Sequence, residues 1–337
     1  MIAETSIKAS GDKVRLATLF SGIGAPEFAA HEVFDEVETV FACEIDKFAR
    51  QSYLANHEID ETKFYRDVTG LDTRPYAGKI DILIGGSPCQ DFSTAGQRAG
   101  EDGERGNLIW QFYRVVSEAR PKVFLYENVK GFLSINGGRS YQGFMDALRG
   151  LGYHCHAEIL NTKDYGIPQN RERLYIVGFL NADEYYAFSY APEQSLKLNL
   201  GDMLDAEVGE KYFLSKRATK GFEKKENTSG SFIKIAGKLD IKGNDIIKRV
   251  YATDGVAPTI HTAQGGNQEP KILQCERIRK LTHRECLRLQ GFPESFKIVV
   301  SDTQAYKQAG NAMSVNVVKM ILERIKLAKN KEFRLGA

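Results

Sequence analysis

Residues 80–93 read Ile80-Asp81-Ile82-Leu83-Ile84-Gly85-Gly86-Ser87-Pro88-Cys89-Gln90-Asp91-Phe92-Ser93. The apolar run at the start predicts a buried parallel strand, and the polar, glycine-rich stretch that continues to Gly106 predicts a loop. Open α/β sheets bind ligands beyond the carboxyl ends of their strands, so Cys89 is expected where a ligand would lie. A cysteine in such a place is a candidate nucleophile. Free cysteines more often fill core space, so the rest of the chain has to decide between the two interpretations.

The composition limits what kind of protein this is. The 337 residues suffice for one large domain and a smaller one, and 42% of them are hydrophobic. The formal net charge is only +2, so any basic surface must be local. No apolar run reaches the length of a membrane span, and the polar start lacks a signal-peptide core. The five cysteines form no Cys-x-x-Cys pair, which predicts a reducing, cytoplasmic location and no disulfide framework.

A strand, a glycine turn and a helix are predicted in that order near the start of the chain, at 14–20, 21–24 and 25–34. A second predicted strand over 37–43 ends at Glu44, which lies 22 positions after Gly22. This spacing is close to that of a dinucleotide site, where glycines let the backbone approach the ligand and a carboxylate accepts from the ribose hydroxyls.

The third glycine of such a site is replaced by Glu27. A carboxylate at the start of the helix would repel a pyrophosphate. That favours a phosphate-free cofactor with a positive centre, such as S-adenosylmethionine (SAM), over NAD. The alternative is that Glu27 is only a first-turn acid, which the helix dipole favours. Both interpretations remain open on the residues alone.

Acidic residues also follow the next predicted strands. Asp46 is the predicted N-cap of a helix over 46–56, and Asp67 follows a strand-like piece at 63–66. At that strand end Asp67 is either an acceptor for an adenine amino group or an ordinary turn aspartate. Glu127 ends the strand predicted over 123–126, after a helix predicted over 107–119, and is expected at the same edge of the sheet as Cys89.

Gln169, Arg171 and Arg173 alternate just before a strand predicted over 174–179. Period-two spacing places all three side chains on one face, where large polar groups are expected to converge on something polar. The run His154-Cys155-His156 lies in another predicted strand, where the cysteine points away from the two histidines, so no metal site is expected.

The alternation of helix and strand fades from about residue 181. Between 196 and 280 there are 16 Lys plus Arg and 11 Asp plus Glu, a net charge of +5. This composition predicts a second, β- and loop-rich domain with a basic bias, although such a bias is often only a solvated face. Thr282 and Glu285 match a capping box at the start of a helix over 281–289, and Gly310-Asn311-Ala312 is expected to open the last helix.

The motifs, taken together, resemble those of the cytosine-5 DNA methyltransferases of bacteria and their phages along nearly the whole chain. They occur in family order: Leu19-Phe20-Ser21-Gly22-Ile23-Gly24, Cys43-Glu44-Ile45-Asp46, Gly86-Ser87-Pro88-Cys89-Gln90, Glu127-Asn128-Val129, Gln169-Asn170-Arg171-Glu172-Arg173, Arg284-Glu285-Cys286 through Gln290-Gly291-Phe292-Pro293, and Gly310-Asn311-Ala312. Two departures occur at the cofactor turn, where the family often has Asp in place of Thr18 and Gly in place of Ala25. Neither removes a reacting group.

The resemblance implies an α/β fold. A Rossmann-like, SAM-dependent methyltransferase domain with a mostly parallel sheet is expected to carry a smaller, β- and loop-rich target-recognition domain. The catalytic domain is expected at 1–180 and 305–337, the target-recognition domain at 181–280, and a hinge at 281–304.

The activity implied is that of a site-specific DNA (cytosine-5)-methyltransferase, as found in restriction-modification systems. It would transfer a methyl group from SAM to C5 of a flipped cytosine through a covalent adduct between Cys89 and C6. Glu127 would hold N3, and Arg173 with Arg171 beside it would fix the ring. The cofactor residues implied are Phe20, Ser21, Gly22, Gly24, Glu44, Ile45, Asp67, Val68, Pro88, Leu108, Asn311 and Met313. The DNA-contacting residues implied are Gln90, Ser93, Arg105, Arg249 and Gln264.

The partners implied are double-stranded DNA and a cognate restriction endonuclease that acts independently, with no membrane, no metal and a monomeric state. A tRNA cytosine-5 methyltransferase is a second hypothesis, although the long basic segment over 181–280 favours DNA. A catalytically dead DNA-binding relative is a third, and the intact Cys89, Glu127 and Arg173 argue against it. An NAD oxidoreductase is disfavoured by Glu27 and leaves the Cys89 loop unexplained.

Overall fold

The computed structural model describes residues 13–88, 108–224, 232–263 and 268–335, with side chains described as far as residue 330. The predicted nucleophile Cys89 and the predicted DNA-contacting residues Gln90, Ser93, Arg105 and Gln264 lie outside the described residues. Across the described ranges, every helix is too short or too polar to span a lipid bilayer.

The central sheet has seven strands. They are β1 (Lys13–Leu19), β2 (Glu36–Cys43), β3 (Phe64–Tyr65), β4 (Ile82–Gly85), β5 (Val123–Val129), β6 (His154–Asn161) and β7 (Glu172–Phe179). Their order is β3-β2-β1-β4-β5-β7-β6, and β7 runs antiparallel to both of its neighbours while the other pairs are parallel. The predicted α/β fold with a mostly parallel sheet is therefore confirmed.

Nine helices occur in the described part of the chain. They are α1 (Ala25–Val33), α2 (Lys47–Asn56), α3 (Leu108–Ala119), α4 (Arg139–Gly150), α5 (Ala182–Ala187), α6 (Asp245–Lys248), α7 (His283–Leu289), α8 (Asp302–Asn311) and α9 (Val315–Leu335). Short 3₁₀ segments lie at Glu61–Lys63, Val68–Gly70, Arg74–Tyr76, Lys130–Gly138, Thr162–Tyr165, Leu200–Met203 and Glu210–Tyr212.

Successive side chains of a strand point to opposite sides of the sheet, and at the central strand β4 both sides are buried. Ile82 and Ile84 belong to the apolar cluster that includes residues of α1 and α9. Leu83, which lies between them, belongs to the cluster that includes residues of α3 and α4. This arrangement leaves the strand ends as the part of the sheet that can carry polar chemistry.

A second, smaller sheet lies in the later part of the chain. Its strands are β8 (Glu223–Lys224), β9 (Ile235–Lys238), β10 (Arg249–Tyr251), β11 (Lys271–Gln274) and β12 (Arg277–Lys280), in the order β12-β11-β10-β9-β8. Its strands fall within the segment predicted to be β- and loop-rich. Helix α5, at the start of that segment, contacts helix α9. The predicted domain boundaries remain predictions.

One expectation about the last helix was wrong. Gly310 and Asn311 end α8, and Ala312 caps its carboxyl end, so these residues close one helix and do not open the next. Helix α9 begins only at Val315. Because α9 follows α8 closely, the sequence pattern did not distinguish the end of one helix from the start of the next.

Candidate functional site

A cavity of about 240 Å³ opens at the edge of the sheet where the parallel strands end. Residues from the ends of β1, β2, β4 and β5, from the start of β7 and from α8 contribute to its wall. The lining residues are Phe20, Gly22, Ile23, Glu44, Asp46, Ala49, Gly86, Ser87, Pro88, Glu127, Asn128, Val129, Arg171, Arg173, Lys307, Gln308, Gly310, Asn311 and Ala312. The structure thus brings together eight residues predicted for the site: Phe20, Gly22, Glu44, Pro88, Glu127, Arg171, Arg173 and Asn311.

The first turn is held in place by Ser21 and shaped by two glycines. The Ser21 backbone N–H donates to Cys43 O at 3.0 Å, and its hydroxyl accepts from Cys43 N at 3.1 Å. Gly22 and Gly24 have φ angles of 56° and 85°, in the left-handed region that favours glycine. A Cβ atom on Gly24 would lie 2.0 Å from His57 Nε2, so the close approach of the turn to His57 also requires glycine.

Glu44 presents its carboxylate to the cavity, held at both oxygens. Its Oε2 accepts from the Gly22 backbone N–H at 2.8 Å, and its Oε1 accepts from the Asp46 N–H at 2.7 Å. Burial raises the pKa of Glu44, and the two amide donors oppose that shift. Each carboxylate oxygen can accept more than one hydrogen bond, so the group can still receive the hydroxyls of a vicinal diol.

Lys307 and Asp46 form an ion pair on the same wall, and neither was predicted to belong to the site. Lys307 Nζ lies 2.6 Å from Asp46 Oδ2. Asp46 Oδ1 caps α2, as predicted, by accepting from Phe48 N and Ala49 N at 2.8 and 3.0 Å. Burial alone would raise the pKa of Asp46, but Lys307 and the two amides lower it. Helical spacing could have indicated Lys307, which lies four residues before Asn311 on the same face of α8.

Glu127 and Arg173 form a second ion pair in the cavity wall. Arg173 Nε lies 3.2 Å from Glu127 Oε1, and their side chains are 16% and 13% exposed. Glu127 lies within β5, which continues past the predicted end of the strand to Val129. The pair can present a carboxyl group and a guanidinium to one polar ring.

Gln169 and Arg171 do not converge with Arg173 on one group. Arg171 is buried and donates to three backbone carbonyls, those of Ile260, Gly310 and Ala312, at 3.2, 3.2 and 2.9 Å. Gln169 Nε2 donates to Leu289 O at 2.7 Å, and its Oε1 accepts from Ile260 N at 3.0 Å. Burial, together with the nearby Arg173, lowers the pKa of Arg171 to about 9. The two side chains join the strand edge to segments far away in sequence.

Glu27 lies neither in the cavity nor on the surface. Its Oε1 accepts from the Thr18 hydroxyl at 2.6 Å and from the Tyr53 hydroxyl at 2.8 Å, and burial raises its pKa. The position in the first turn of α1 is as predicted, but the carboxyl points into the protein interior. The expected repulsion of a pyrophosphate by Glu27 is therefore wrong, and its argument against NAD has no basis.

The other predicted cofactor residues are not among those that line the cavity. Gly24 and Ser21 shape the turn, Val68 is buried, and Ile45 is 75% exposed. Asp67 caps a 3₁₀ turn by accepting from Thr69 N at 2.9 Å. Leu108 begins α3 and packs against the apolar cluster that includes residues of α3 and α4. Met313 lies against Gly86, since a Cβ atom on Gly86 would be 2.9 Å from Met313 Cε.

The predicted DNA-contacting residue Arg249 lies in the second sheet, at the start of β10. Its Nη2 forms an ion pair with Asp245 Oδ2 at 2.6 Å, four residues earlier. The side chain is 34% exposed, so the guanidinium remains accessible.

The sequence matches the family model described as C-5 cytosine-specific DNA methylase over residues 14–327. It is 38% identical over 320 residues to the type II methyltransferase M1.ScrFI of Lactococcus lactis subsp. cremoris, an alignment that covers 93% of this chain and 78% of the relative. It is 37% identical over 318 residues to the type II methyltransferase M.NlaX of Neisseria lactamica, covering 93% of this chain and 96% of the relative.

The fold also matches solved structures. The Dnmt2 methyltransferase of S. pombe superposes with a TM-score of 0.69 at 20% identity, covering 96% of this chain and 100% of that chain. At this level of identity the likeness shows the fold alone.

Proposed function

The chain belongs to the family of C-5 cytosine-specific DNA methylases, and from that premise we propose that it methylates C5 of cytosine at specific sites in double-stranded DNA, with SAM as the methyl donor. The observation that carries the proposal is the composition of one cavity. The anchored carboxylate of Glu44 and the Glu127–Arg173 pair line the same space, which Pro88 also borders immediately before Cys89.

The residues of the cavity fit SAM. Gly22 lets the backbone approach a ligand at the cavity wall, and Glu44 is held as an acceptor for ribose hydroxyls. Phe20 supplies an aromatic ring beside it, and Pro88 and Asn311 complete the wall. When bound, SAM supplies an electrophilic methyl group on its sulfonium. Because Glu27 is turned away from the cavity, the fit depends on Glu44 and the turn and not on charge repulsion at the helix start.

Cytosine C5 is a poor nucleophile until the aromatic ring is broken. The thiolate of Cys89 would add to C6, and the electron pair of the C5–C6 double bond would then be shared with C5, N3 and the base oxygen. Glu127, when protonated, would donate to N3, and Arg173 would stabilise the charge at the base oxygen. C5 would then form the bond to the methyl group while the bond from that methyl group to the sulfonium sulfur breaks, which would leave a neutral thioether as the leaving group. A base would remove the C5 proton, the electron pair would restore the C5–C6 double bond, and Cys89 would leave as a thiolate.

Arg171 acts differently in this scheme from what the resemblance implied. Its hydrogen bonds to three carbonyls make it a residue that fixes the backbone at Ile260 and the carboxyl end of α8 around the cavity. Its positive charge and that of Arg173 would also favour the thiolate form of Cys89.

The reaction requires the cytosine to leave the duplex. Its C5 and C6 atoms lie inside the base stack, whereas Glu127 and Arg173, which would contact the base, line a concave cavity. Sequence selection would come from the second sheet, with Arg249 and Gln264 as proposed contacts. The two relatives are named as type II methyltransferases, which supports a place beside a cognate restriction endonuclease that acts independently. A monomer that works in the cytoplasm would suffice for this chemistry.

A trapping experiment tests the proposal. The protein is incubated with tritiated SAM and duplex DNA in which all cytosines are replaced by 5-fluorocytosine, and the products are separated on a denaturing gel. Fluorine at C5 blocks the final elimination, so a labelled protein–DNA adduct is expected. The adduct should vanish in Cys89→Ser and persist in the control Cys275→Ser, whose thiol is exposed in the turn between β11 and β12. Labelling only of fluorinated tRNA, or no adduct with intact SAM binding, would overturn the proposal.

A further inference from the structure

Ser87, two residues before Cys89, is fixed to the neighbouring strand by a buried polar contact. Gly85, the last residue of β4, pairs with Tyr126 of β5. Two residues later, the Ser87 hydroxyl lies 2.6 Å from the Tyr126 hydroxyl. Asn128 Nδ2 donates to the same Tyr126 oxygen at 2.8 Å. All three side chains of this contact are buried, so water does not compete for it.

The Tyr126 ring cannot move easily, which makes its hydroxyl a fixed point. The ring centroid lies 4.8 Å from that of Phe112 and 5.0 Å from that of Phe144, inside the apolar cluster of α3 and α4. Burial raises the pKa of Tyr126 far above the working range of an enzyme, so the phenol keeps its proton. The backbone beside it is equally confined, because a Cβ atom on Gly86 would lie 2.9 Å from Glu127 Oε2.

Ser87 and Asn128 face the cavity wall, whereas Tyr126 lies behind them. A buried phenylalanine at 126 would satisfy the apolar cluster as well as tyrosine does. The phenol oxygen therefore has no packing purpose, and both of its partners belong to the site. Reaction rates depend steeply on the placement of the reacting atom, with displacements of about 1 Å costing up to about 100-fold.

We propose that Tyr126 is a positioning residue for methyl transfer. Its hydroxyl holds Ser87 and thereby sets the point from which the chain enters Cys89. The inference rests on the proposed function, because its measurable effect passes through the reaction of the cysteine. It assigns no contact between Tyr126 and DNA or cofactor.

The test compares two tyrosine-to-phenylalanine variants. Tyr126→Phe removes the hydroxyl that binds Ser87. The matched control is Tyr153→Phe, which removes a buried hydroxyl of the same apolar cluster that donates to Pro121 O at 2.6 Å. Tyr126→Phe should form the 5-fluorocytosine adduct about tenfold more slowly, with the KM for SAM changed by less than about twofold. Tyr153→Phe should lose similar thermal stability and keep the wild-type adduct rate.

Ser87→Ala removes the other partner of the contact and keeps the inference testable if Tyr126→Phe does not fold. It should also slow the adduct, and the double variant should be no slower than Tyr126→Phe alone, because that change already removes the interaction with Ser87. Equal rates in Tyr126→Phe and wild type, or effects that multiply in the double variant, would overturn the positioning role alone. Absence of an adduct in the wild type would instead overturn the proposed function.

Discussion

The backbone N–H of Gly22 donates to Glu44 Oε2 at 2.8 Å, and this contact joins the first turn of the chain to the end of β2. The second oxygen of the Glu44 carboxylate, Oε1, accepts from Asp46 N at 2.7 Å, so two amides hold one carboxylate at the cavity wall. The arrangement fixes the acceptor before any ligand arrives, which lowers the cost of ordering it on binding.

Glu44→Gln should therefore weaken SAM binding. A carboxamide has one acceptor and one donor end, so its NH₂ group would face one of the two amides and the side chain would turn. We expect the Kd for SAM, measured by calorimetry, to rise about 10- to 100-fold. Glu38→Gln, within the preceding strand β2 and 45% exposed, is the control and should bind SAM like the wild type. Equal affinity in Glu44→Gln would show that the carboxylate does not receive the cofactor.

Glu127→Gln should separate catalysis from cofactor binding. The amide cannot give a proton to N3, and Arg173 loses the partner at 3.2 Å. Methyl transfer to unmethylated DNA of mixed sequence should fall by at least about 100-fold, with SAM affinity within about threefold of the wild type. The control is Glu172→Gln. It changes the residue next to Arg173 and removes a surface ion pair with Lys130 at 3.1 Å. A matching loss in both variants would refute a specific role for Glu127.

Lys307→Met should weaken SAM binding indirectly. The lysine holds Asp46 at 2.6 Å, and the backbone N–H of Asp46 holds Glu44. Loss of the cation should raise the Kd for SAM about fivefold, equivalent to roughly 1 kcal/mol for a partly exposed pair. The control Lys319→Met breaks a surface pair with Glu32 at 2.7 Å and should have no effect. If the effects of Lys307→Met and Asp46→Asn on the free energy of SAM binding add fully in the double variant, then Lys307 does not act on Glu44 through Asp46.

The local devices of the fold were predictable from the sequence. The N-cap Asp46 and the capping box of Thr282 and Glu285 depend on residues within one turn, and the structure has both of them. The polar residues at the strand ends were predictable because parallel strands bring their carboxyl ends to one edge. This is why Glu44 and Glu127 were expected at one edge of the sheet, whereas the place of Arg173 beside Glu127 was implied by the family resemblance.

The remaining contacts could not be predicted, because their partners are distant in sequence. Asp46 and Lys307 lie 261 positions apart, and Ser87 and Tyr126 lie 39 apart. The interior position of the Glu27 carboxyl could not be predicted for the same reason, because only the fold shows that the hydroxyls of Tyr53 and Thr18 donate to it. Periodicity gives the face of a helix but not whether a first-turn side chain points into the interior.

The buried ion pair of Arg279 and Glu285 should be essential to the stability of the second sheet. Their side chains are fully buried and joined by two hydrogen bonds of 2.8 and 2.7 Å. Glu285→Gln leaves the Arg279 charge without its partner, which typically costs about 3–5 kcal/mol. Urea unfolding should show this loss, whereas Arg277→Gln, which breaks an exposed pair with Glu210, should cost less than about 1 kcal/mol. Losses of equal size would contradict the role of burial.

His57 should make folding stability depend on pH in a defined window. Its ring lies beneath Gly24 and between Phe28 and Tyr53, with centroid distances of 4.5 and 4.7 Å to their rings. Burial lowers its pKa from 6.5 to about 4. Between these values the unfolded chain binds a proton that the folded chain does not, so stability must fall as the pH falls through the window. Below about pH 4 both states are protonated and this contribution becomes constant.

The effect can be isolated by comparing the wild type with His57→Gln. Other buried acids, such as Glu27 and Glu44, also titrate at low pH, but they are common to both proteins and cancel in the difference. Urea unfolding at several pH values between 7 and 4 should give a wild-type slope that is steeper by up to about 1.4 kcal/mol per pH unit. The variant should be less stable at pH 7, because it loses the aromatic contacts, and the two curves should approach each other as the pH falls. Parallel curves would mean that the histidine can be protonated in the folded protein, and that the turn around Gly24 opens to admit water.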